Sequence, residues 1–391
     1  MKILVINAGS SSLKFELFDA AGGLKSMLRG LAERIGEGEG IFHAADTEIT
    51  APIPDHQAAM RMLKEYLEEN AEKFGSPDEI RMVGHRVVHG GNTFVEPTLI
   101  TNRVKDKIRS LFHLAPLHNP ANLKGIEMAE KFFLAAKQVA VFDTAFHQSI
   151  PEWEHRYAIP GTYYRQGIRQ YGFHGISHQY VSRKAAELMG RNDLRLITLH
   201  LGNGASMAAV KNGKSMATTM GFGPLAGLVM GTRSGDIDPS VLLYLLRGGM
   251  SVDDLDKMLN KQSGLKALFG SNDMRDLEAG YATGDPKARL ALEIYTGRIR
   301  KYVGAYMALL GGADALVFTA GIGEHSALVR EKSVEGLDFA GIEIDKQKNQ
   351  NPAKNGGEVQ SARSKVKILV IPTREEQEIA RQCLNLAHEI L

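Results

Sequence analysis

A short strand, a glycine-containing turn and a return strand occur twice in this chain of 391 residues, about half its length apart. The first copy runs from Lys2 to Asn7, turns through residues 8–12, and returns with Leu13, Phe15 and Leu17 alternating with polar residues. The second comprises Leu196–Leu201, the turn Gly202-Asn203-Gly204 and the return strand Met207–Val210. A supersecondary unit repeated at this distance predicts two related lobes, each built on a strand hairpin.

Length and composition narrow the class of protein further. A chain of 391 residues is too long for one ordinary hydrophobic core, so we expect two domains. The 47 basic and 45 acidic residues nearly balance, which removes the electrostatic case for a general nucleic-acid binder. The single Cys383 excludes intrachain disulfides and multi-cysteine metal sites, and its place in an apolar helical pattern predicts an inert core thiol.

The sequence contains neither a signal-peptide pattern at its start nor an uncharged apolar run near the ~18 residues of a membrane span. We therefore expect a cytoplasmic protein with no membrane partner.

Glycine is in excess, since 41 residues are present where roughly 7% usage would give about 27. The glycines concentrate at predicted strand ends, in loops that also contain Ser, Asn or Thr. Simple turns are one interpretation, but backbone N–H groups that surround phosphates explain three such loops better. The P-loop pattern fails because Ala208 stands where it needs glycine, and the Rossmann pattern fails at Met207. A nucleotide must therefore bind on another scaffold.

Apolar spacing and capping residues predict the main helices and strands. A capping box formed by Thr373 and Glu376 predicts the start of the final helix. The predicted helices are Gln57–Phe74, Ala121–Ala136 and Pro286–Leu310, and the further predicted strands are Val139–Phe142, Ala315–Thr319 and Ile368–Ile371.

Histidine and arginine cluster with glycine in short segments. The pairs His85/His89 and His174/His178 have metal-ligand spacing, which keeps a metallohydrolase as an alternative, but neither has the glutamate of a zincin motif. Arginine beside glycine, as in residues 86–91 and 231–235, suits clamping of phosphate or carboxylate.

Taken together, these segments resemble the acetate kinase family over essentially the whole chain. The matching motifs are residues 7–14 (NAGSSSLK), 85–91 (HRVVHGG), 142–147 (FDTAFH), 171–175 (YGFHG), 200–206 (HLGNGAS) and 321–324 (GIGE). The resemblance implies an α/β protein with two actin-like lobes of ribonuclease H-like βββαβαβα type, facing across a nucleotide-binding cleft. We expect an N-terminal lobe at 1–150, rejoined by the C-terminal helix 376–391, and a nucleotide-binding lobe at 151–375.

The implied reaction is reversible transfer of the ATP γ-phosphoryl group to acetate by in-line displacement, giving acetyl phosphate and ADP with Mg²⁺, for which Mn²⁺ can substitute. A carboxylate nucleophile is already ionised at pH 7, so cations matter more than a strong base. By resemblance Arg86 holds the substrate carboxylate, while His174 and Arg233 stabilise the transferring phosphoryl group. Asp143 is the family's active-site carboxylate, for which orienting or protonation-state control is the more natural role.

The resemblance also assigns the remaining site residues and implies a homodimer. Asn7 and Glu375 correspond to Mg²⁺-associated positions, and the substrate pocket is expected from Val88, Leu117, His118, Phe173 and Pro224, with the bulk of Val88 favouring acetate over propionate. The expected nucleotide contacts are Lys14, His200, Leu201, Gly202, Asn203, Gly204, Asp273, Met274, Arg275, Gly321, Ile322, Gly323, Glu324 and His325.

The sequence departs from the family pattern at two positions and leaves two functions open besides the metallohydrolase. Arg374 and His325 each stand where the family usually has asparagine. A kinase for propionate or another short-chain carboxylate is one alternative. An actin-like ATP-binding switch is the other, although a switch needs phosphate loops and no second anion clamp.

Overall fold

The computed structural model describes residues 1–353 and 356–390, and the chain divides into two compact units. Unit 1 comprises Met1–Phe146 and Arg374–Leu391, of which the last residue lies outside the described part, and unit 2 comprises His147–Thr373. The divisions thus fall after residues 146 and 373, beside the predicted boundaries at 150 and 375.

Unit 1 is built on a sheet in which eight described strands follow the order β5-β4-β3-β2-β1-β6-β8-β7. The first three strands form an antiparallel meander, β6 lies parallel to β1, and β8 lies parallel to β6. The order 3-2-1-4-5 of the central strands is that of the βββαβαβα lobe. The strands are β1 Lys2–Ala8, β2 Ser12–Asp19, β3 Lys25–Glu33, β4 Gly40–Ala44, β5 Thr47–Ala51, β6 Ile80–Val87, β7 Thr98–Leu99 and β8 Lys137–Phe142.

Four helices connect these strands: α1 His56–Glu69, α2 Ala71–Phe74, α3 Asn102–Ser110 and α4 Asn119–Phe132. The predicted helix 57–74 is thus two helices that meet at Asn70, whose side-chain amide donates to the carbonyl of Tyr66 at 2.8 Å. An asparagine side chain that bonds its own backbone competes with the helical ladder, which explains the break. The buried face of α1 packs on the sheet through Ala59, Leu63 and Leu67.

Unit 2 repeats the strand arrangement in a second sheet of six described strands, with the order β11-β10-β9-β12-β14-β13. Strands β9, β10 and β11 are antiparallel, whereas β12 is parallel to both β9 and β14. The strands are β9 Arg195–Leu201, β10 Ala205–Lys211, β11 Lys214–Thr218, β12 Ala315–Thr319, β13 Gly357–Glu358 and β14 Lys367–Val370. The hairpin repeat seen in the sequence is therefore the first part of two sheets with one strand order.

The helices of unit 2 include α12, whose bounds are those predicted. Asp285 accepts hydrogen bonds from the backbone N–H groups of Lys287 and Ala288, and Gly311 ends the helix at a φ of 70°. The helices are α5 Glu152–His155, α6 Gly161–Arg165, α7 Gly175–Met189, α8 Pro239–Arg247, α9 Val252–Lys261, α10 Gly264–Phe269, α11 Met274–Ala282, α12 Pro286–Leu310, α13 Ala320–His325, α14 Ala327–Val334 and α15 Lys346–Gln350.

The last helix, α16 at Glu375–Ile390, returns to unit 1 and packs on β1 and β6. Cys383 on this helix is fully buried against Gly84, where a Cβ atom would lie 2.7 Å from its Sγ. The predicted capping box is wrong: the helix begins at Glu375, the Thr373 hydroxyl bonds Ser177 Oγ at 2.8 Å, and the Glu376 carboxylate pairs with Lys14. Across the described ranges, no helix has the length and apolar character needed to cross a membrane.

Candidate active site

The carboxyl ends of the central strands of unit 1 bring three predicted site residues to one edge of the sheet. Asn7 lies near the end of β1, Arg86 near the end of β6, and Asp143 directly follows β8. The backbone N–H of Asp143 donates to the carbonyl of Val87 at 3.0 Å, so the loop after β8 is fixed to the end of β6. Ligands of open α/β sheets bind outside such strand ends, which makes this edge the candidate site of unit 1.

Arg86 is held between two carboxylates at this edge. It donates to Oδ2 of Asp143 from Nη2 at 2.6 Å and from Nε at 3.1 Å, and its Nε lies 3.7 Å from Glu375 Oε2. Burial alone would lower the pKa of Arg86, but Asp143 and Glu375 raise it. Burial raises the pKa of Asp143, Arg86 opposes that shift, and Glu375 adds to it. The site therefore presents a fixed cation inside an acidic environment.

Oxygen donors suited to a hard divalent cation are also present here. The Oδ1 atom of Asp143 is buried and makes no hydrogen bond. The carboxylates of Asp143 and Glu375 both contact the Arg86 guanidinium. Asn7 stands opposite Lys14 in the β1–β2 register, and Lys14 Nζ pairs with Glu376 Oε1 at 2.7 Å. Within the described ranges, no group of three or more His, Cys, Asp or Glu side chains is arranged to hold a metal ion.

Two buried asparagines of α4 fix the segment that carries Val88. Asn122 Oδ1 accepts from the Val88 N–H at 3.0 Å while its amide donates to the Ala8 carbonyl at 2.8 Å. Asn119 bonds both backbone groups of His89, each at 3.0 Å. Val88 is half-buried, and no motif or spacing indicated that asparagines from a distant helix would position it.

Two other residues of the predicted substrate pocket lie between α3 and α4. Leu117 is 64% exposed, so it does not belong to an apolar core of unit 1, and His118 precedes the first residue of α4.

In unit 2 the glycine loop after β9 meets the segment that carries Arg233. The Gly231 N–H donates to the Asn203 carbonyl at 3.0 Å, and a Cβ on Gly231 would lie 1.9 Å from Asn203 Oδ1, so any larger residue would displace the Asn203 side chain. A Cβ on Gly204 would lie 3.6 Å from His174 Nε2 and 3.7 Å from Arg233 Nη1. The structure therefore brings His174 and Arg233 to the same point of the phosphate loop predicted at 200–204.

The side chains of Arg233 and His174 are fixed by local contacts. Arg233 Nη1 donates to the Pro224 carbonyl at 3.1 Å, and burial lowers the pKa of this guanidinium. His174 adopts a left-handed backbone conformation with a φ of 57° immediately before α7, and its ring stacks on His200 with 4.2 Å between centroids. Sparsely populated backbone conformations of this kind are concentrated at functional sites.

A cavity of about 520 Å³ in unit 2 contains most of the predicted nucleoside contacts. It is bordered by the loop after β9, the start of α11 and the segment after β12. The residues that line it are Asn203, Asn272, Asp273, Met274, Arg275, Glu278, Gly321, Ile322, His325 and Ser326. Asp273 pairs with Arg275 at 2.6 Å and also caps α11, so the two charged side chains lie at the cavity rim as a pair.

Some predicted nucleotide contacts lie elsewhere, and three lining residues, Asn272, Glu278 and Ser326, are outside the predicted set. Glu324 does not line this cavity, because its Oε1 accepts from the backbone N–H groups of Ala320 and Thr373 at 2.8 and 3.1 Å. Glu278 and Ser326, which share a hydrogen bond, do line it. Glu278 lies one turn after Met274 on the same helix, which was the available signal.

The fold and these loops define a class: an α/β protein of two actin-like, ribonuclease H-like units, each built on a sheet with one strand order. The family model described as the acetokinase family matches residues 2–381. The chain belongs to the acetokinase family, and it is a kinase.

Relatives and solved structures agree with this assignment. The chain is 50% identical over 391 residues to the acetate kinase of Sulfurovum sp. (strain NBC37-1), with 98% of each chain covered. It is 48% identical over 404 residues to the acetate kinase of Thermotoga maritima, with 100% of each covered. The crystal structure of Porphyromonas gingivalis acetate kinase matches with a TM-score of 0.92, 41% identity and 99% of each chain covered.

A propionate kinase from Francisella tularensis also matches, with a TM-score of 0.91 and 44% identity over 98% of this chain and 99% of that one. These likenesses confirm the predicted family and the actin-like fold.

Proposed function

We propose that this protein catalyses reversible transfer of the γ-phosphoryl group of ATP to acetate, giving acetyl phosphate and ADP. The observation that carries the proposal is Arg86, a cation held by Asp143 and Glu375 at a strand-end edge, in a chain whose predicted phosphate loop borders Arg233. An ATP-binding switch needs the phosphate loops alone. A second anion clamp is what a carboxylate substrate requires.

Electrostatic stabilisation would supply most of the catalysis. Acetate is ionised at pH 7, so the reaction needs alignment of two anions and stabilisation of the charge on the phosphoryl oxygens. Arg86 would bind the acetate carboxylate, and Asp143 would fix the direction of the guanidinium. Arg233 and His174, which border Gly204, would donate to the phosphoryl oxygens. Partial burial of Arg233 strengthens each such interaction.

The donor set fits Mg²⁺, for which Mn²⁺ would be a substitute. Mg²⁺ prefers oxygen ligands and retains several waters, so few protein oxygens suffice. Asn7 and Glu375 would hold the ion, and the unpaired Oδ1 of Asp143 fits the same role. When bound, Mg²⁺ neutralises charge on the phosphate oxygens.

Hydroxylamine trapping tests the proposal. Protein incubated with ATP, Mg²⁺, acetate and hydroxylamine is expected to give acetohydroxamate, because hydroxylamine captures the acyl phosphate. Absence of product with acetate, propionate and butyrate, in a protein that still binds ATP, would leave the switch as the function.

Propionate is the second candidate substrate, since the Francisella tularensis neighbour is a propionate kinase. Val88 would limit the length of the carboxylate. One methylene is worth only about 1–3 kcal/mol of discrimination, so propionate should react more weakly than acetate.

We also propose a homodimer. Helix α8 supports it, because none of its side chains is buried although most are apolar, with Leu243 51% and Tyr244 76% exposed. Apolar surface concentrated in this way marks interaction sites. Light scattering should give twice the chain mass, and Tyr244→Glu should shift the protein toward the monomer.

A further inference from the structure

A chain of buried hydrogen bonds runs inward from His174 in unit 2. Its Nδ1 lies 2.9 Å from Ser206 Oγ, and the same hydroxyl lies 2.8 Å from Nε2 of His178. The other ring nitrogen of His178 lies 2.7 Å from Thr198 Oγ1, which donates to the Ala208 carbonyl at 3.4 Å. Ser206, His178 and Thr198 are all fully buried, so water does not compete for these bonds.

Each member of this hydrogen-bond chain has a limited number of protons, so the direction of the bond from Thr198 to Ala208 sets the direction of the others. Burial lowers the pKa of His178 well below its usual value, and the nearby His147 and His200 add to the shift. His178 is therefore neutral, with one donor nitrogen and one acceptor nitrogen. Because the Thr198 hydroxyl donates to Ala208, it must accept from Nδ1–H of His178.

The same counting continues to His174. With its proton on Nδ1, His178 offers only a lone pair at Nε2, so the Ser206 hydroxyl donates to it. The oxygen of Ser206 then accepts from Nδ1–H of His174. We propose that Ser206, His178 and Thr198 are positioning residues that hold His174 with a proton on Nδ1. When the ring becomes an imidazolium, its second proton therefore lies on Nε2, which donates it in a hydrogen bond to the phosphoryl group.

This inference rests on the proposed function for its catalytic meaning. The Nε2 side of the His174 ring borders Gly204 and Arg233. A neutral His174 in this tautomer presents a lone pair there, whereas the imidazolium presents a donor and keeps its Nδ1–H bond to Ser206. Both forms keep this bond, but a bond from a charged donor is the stronger one, so the relay formed by Ser206, His178 and Thr198 favours the imidazolium, which is the form that stabilises anionic oxygens. The titratable and charged groups that face His174 include His200, through ring stacking, and Arg233.

The first test is spectroscopic and needs no turnover. The protein is labelled with ¹⁵N in its histidine rings, and the His174 signals are identified by their loss in His174→Gln. Where His174 is neutral, Nδ1 should be the protonated nitrogen. In Ser206→Ala the ring should revert to the Nε2–H form that free histidine prefers. A neutral His174 protonated on Nε2 in the wild type, or an unchanged tautomer in Ser206→Ala, would overturn the proposal.

A variant at Thr198, the far end of the hydrogen-bond chain, tests the relay without altering His174 or Ser206. Thr198→Val keeps the shape of the side chain and removes the hydroxyl, so Nδ1 of His178 loses its acceptor. His178 should then carry its proton on Nε2, the Ser206 hydroxyl should turn toward His174, and His174 should become the Nε2–H tautomer. An unchanged His174 in folded Thr198→Val would contradict the relay.

The kinetic test uses a matched control. Ser215 Oγ bonds His147 Nδ1 at 2.8 Å and is also fully buried, so Ser215→Ala removes a similar bond outside the relay. Ser206→Ala should lower kcat about tenfold to a hundredfold with little change in the KM for ATP. The pH at which kcat falls on the alkaline side of its pH profile should move down by about one unit, because the imidazolium loses a hydrogen bond. In Ser215→Ala, kcat should fall at the same alkaline pH as in the wild type.

Equal kinetic effects of the two serine variants would reduce Ser206 to a packing role and overturn the proposal. If the wild type instead gives no hydroxamate, the proposed function fails while the tautomer of His174 still tests the relay.

Discussion

Arg86 donates two hydrogen bonds to one oxygen of Asp143, from Nη2 at 2.6 Å and from Nε at 3.1 Å, while the other carboxylate oxygen is buried without a hydrogen bond. The two oxygens of Asp143 thus have separate surroundings. One fixes the guanidinium that we propose binds acetate. The other is left with capacity for a ligand, and leaving a buried acceptor unsatisfied is unfavourable unless something is bound there in the working enzyme.

Asp143→Asn should lower kcat by about two to three orders of magnitude, because an amide has one oxygen and cannot serve both purposes. Hydroxamate formation gives the rate, and thermal unfolding shows whether the fold is kept. Asp314→Asn is the control, since Asp314 pairs with Arg195 at 3.2 Å away from the proposed site residues. A rate for Asp143→Asn close to that of the control would remove Asp143 from the mechanism.

Arg233→Ala should reduce kcat by about 10²- to 10³-fold, the usual effect of losing one preorganised donor to a developing charge. The KM for acetate should change little, because Arg233 is proposed to act on the phosphoryl group. Arg298→Ala is matched to it: Arg298 donates to the Gly227 and Asp236 carbonyls nearby but borders no phosphate loop. Normal turnover in Arg233→Ala would refute its assignment.

Val88→Ala should raise the ratio of kcat/KM for propionate to that for acetate by about tenfold or more, because removal of two methyl groups makes room for one methylene. Competition between the two acids in one assay gives the ratio directly. Val95, which is 55% exposed, supplies the control Val95→Ala. An unchanged ratio would place the wall of the pocket at another residue.

Buried histidines should make the protein less stable in acid. Burial lowers the pKa of His85, His89 and His147 to about 4 from the ordinary 6.5. Between these values the unfolded chain binds the extra protons, so stability is complete above pH 6.5 and is lost as the pH falls toward 4. Each histidine should contribute a slope of about 1.4 kcal/mol per pH unit in this window.

Denaturant unfolding at several pH values measures this slope. His85→Gln should reduce it by the share of one histidine, and His388→Gln, on an exposed position of α16, is the control. A slope that stays the same in His85→Gln would show that His85 takes up its proton without unfolding.

Local signals in the sequence were sufficient for several elements, and long-range contacts account for what they missed. Helix α12 has the predicted bounds because Asp285 and Gly311 act on the adjacent backbone. The opening of α16 was predicted wrongly because Glu376 pairs with Lys14, more than three hundred positions earlier.

The candidate site shows the same difference between local signals and long-range contacts. Motifs gave Arg86, Asp143, His174 and Arg233 as candidates, but no pattern of spacing indicates which atoms a side chain will meet across a sheet. Ser206 was visible only as part of a loop motif, and its link to His178 depends on the packing of α7 on β9, with which β10 pairs.

Arg330 was not among the residues predicted from the sequence to matter, and the final prediction concerns it. Its guanidinium is fully buried, no ion pair holds it in the described residues, and burial lowers its pKa to about 10. It donates to the carbonyls of Gly323 and Glu324, each at 2.9 Å, and to both oxygens of Asn349. Arg330 therefore fixes the segment 320–325, part of which lines the proposed nucleoside cavity.

Arg330→Met fills a similar volume but leaves these acceptors unsatisfied, so it should lower the free energy of unfolding by about 2–4 kcal/mol. Because segment 320–325 loses its support, the KM for ATP should rise more than the KM for acetate. Arg300→Met, which removes one exposed bond to the Glu335 carbonyl, should change neither quantity. If Arg330→Met were as stable as Arg300→Met, the buried guanidinium would not be what holds this segment. If stability fell while both KM values rose equally, Arg330 would support unit 2 as a whole without a particular role in nucleotide binding.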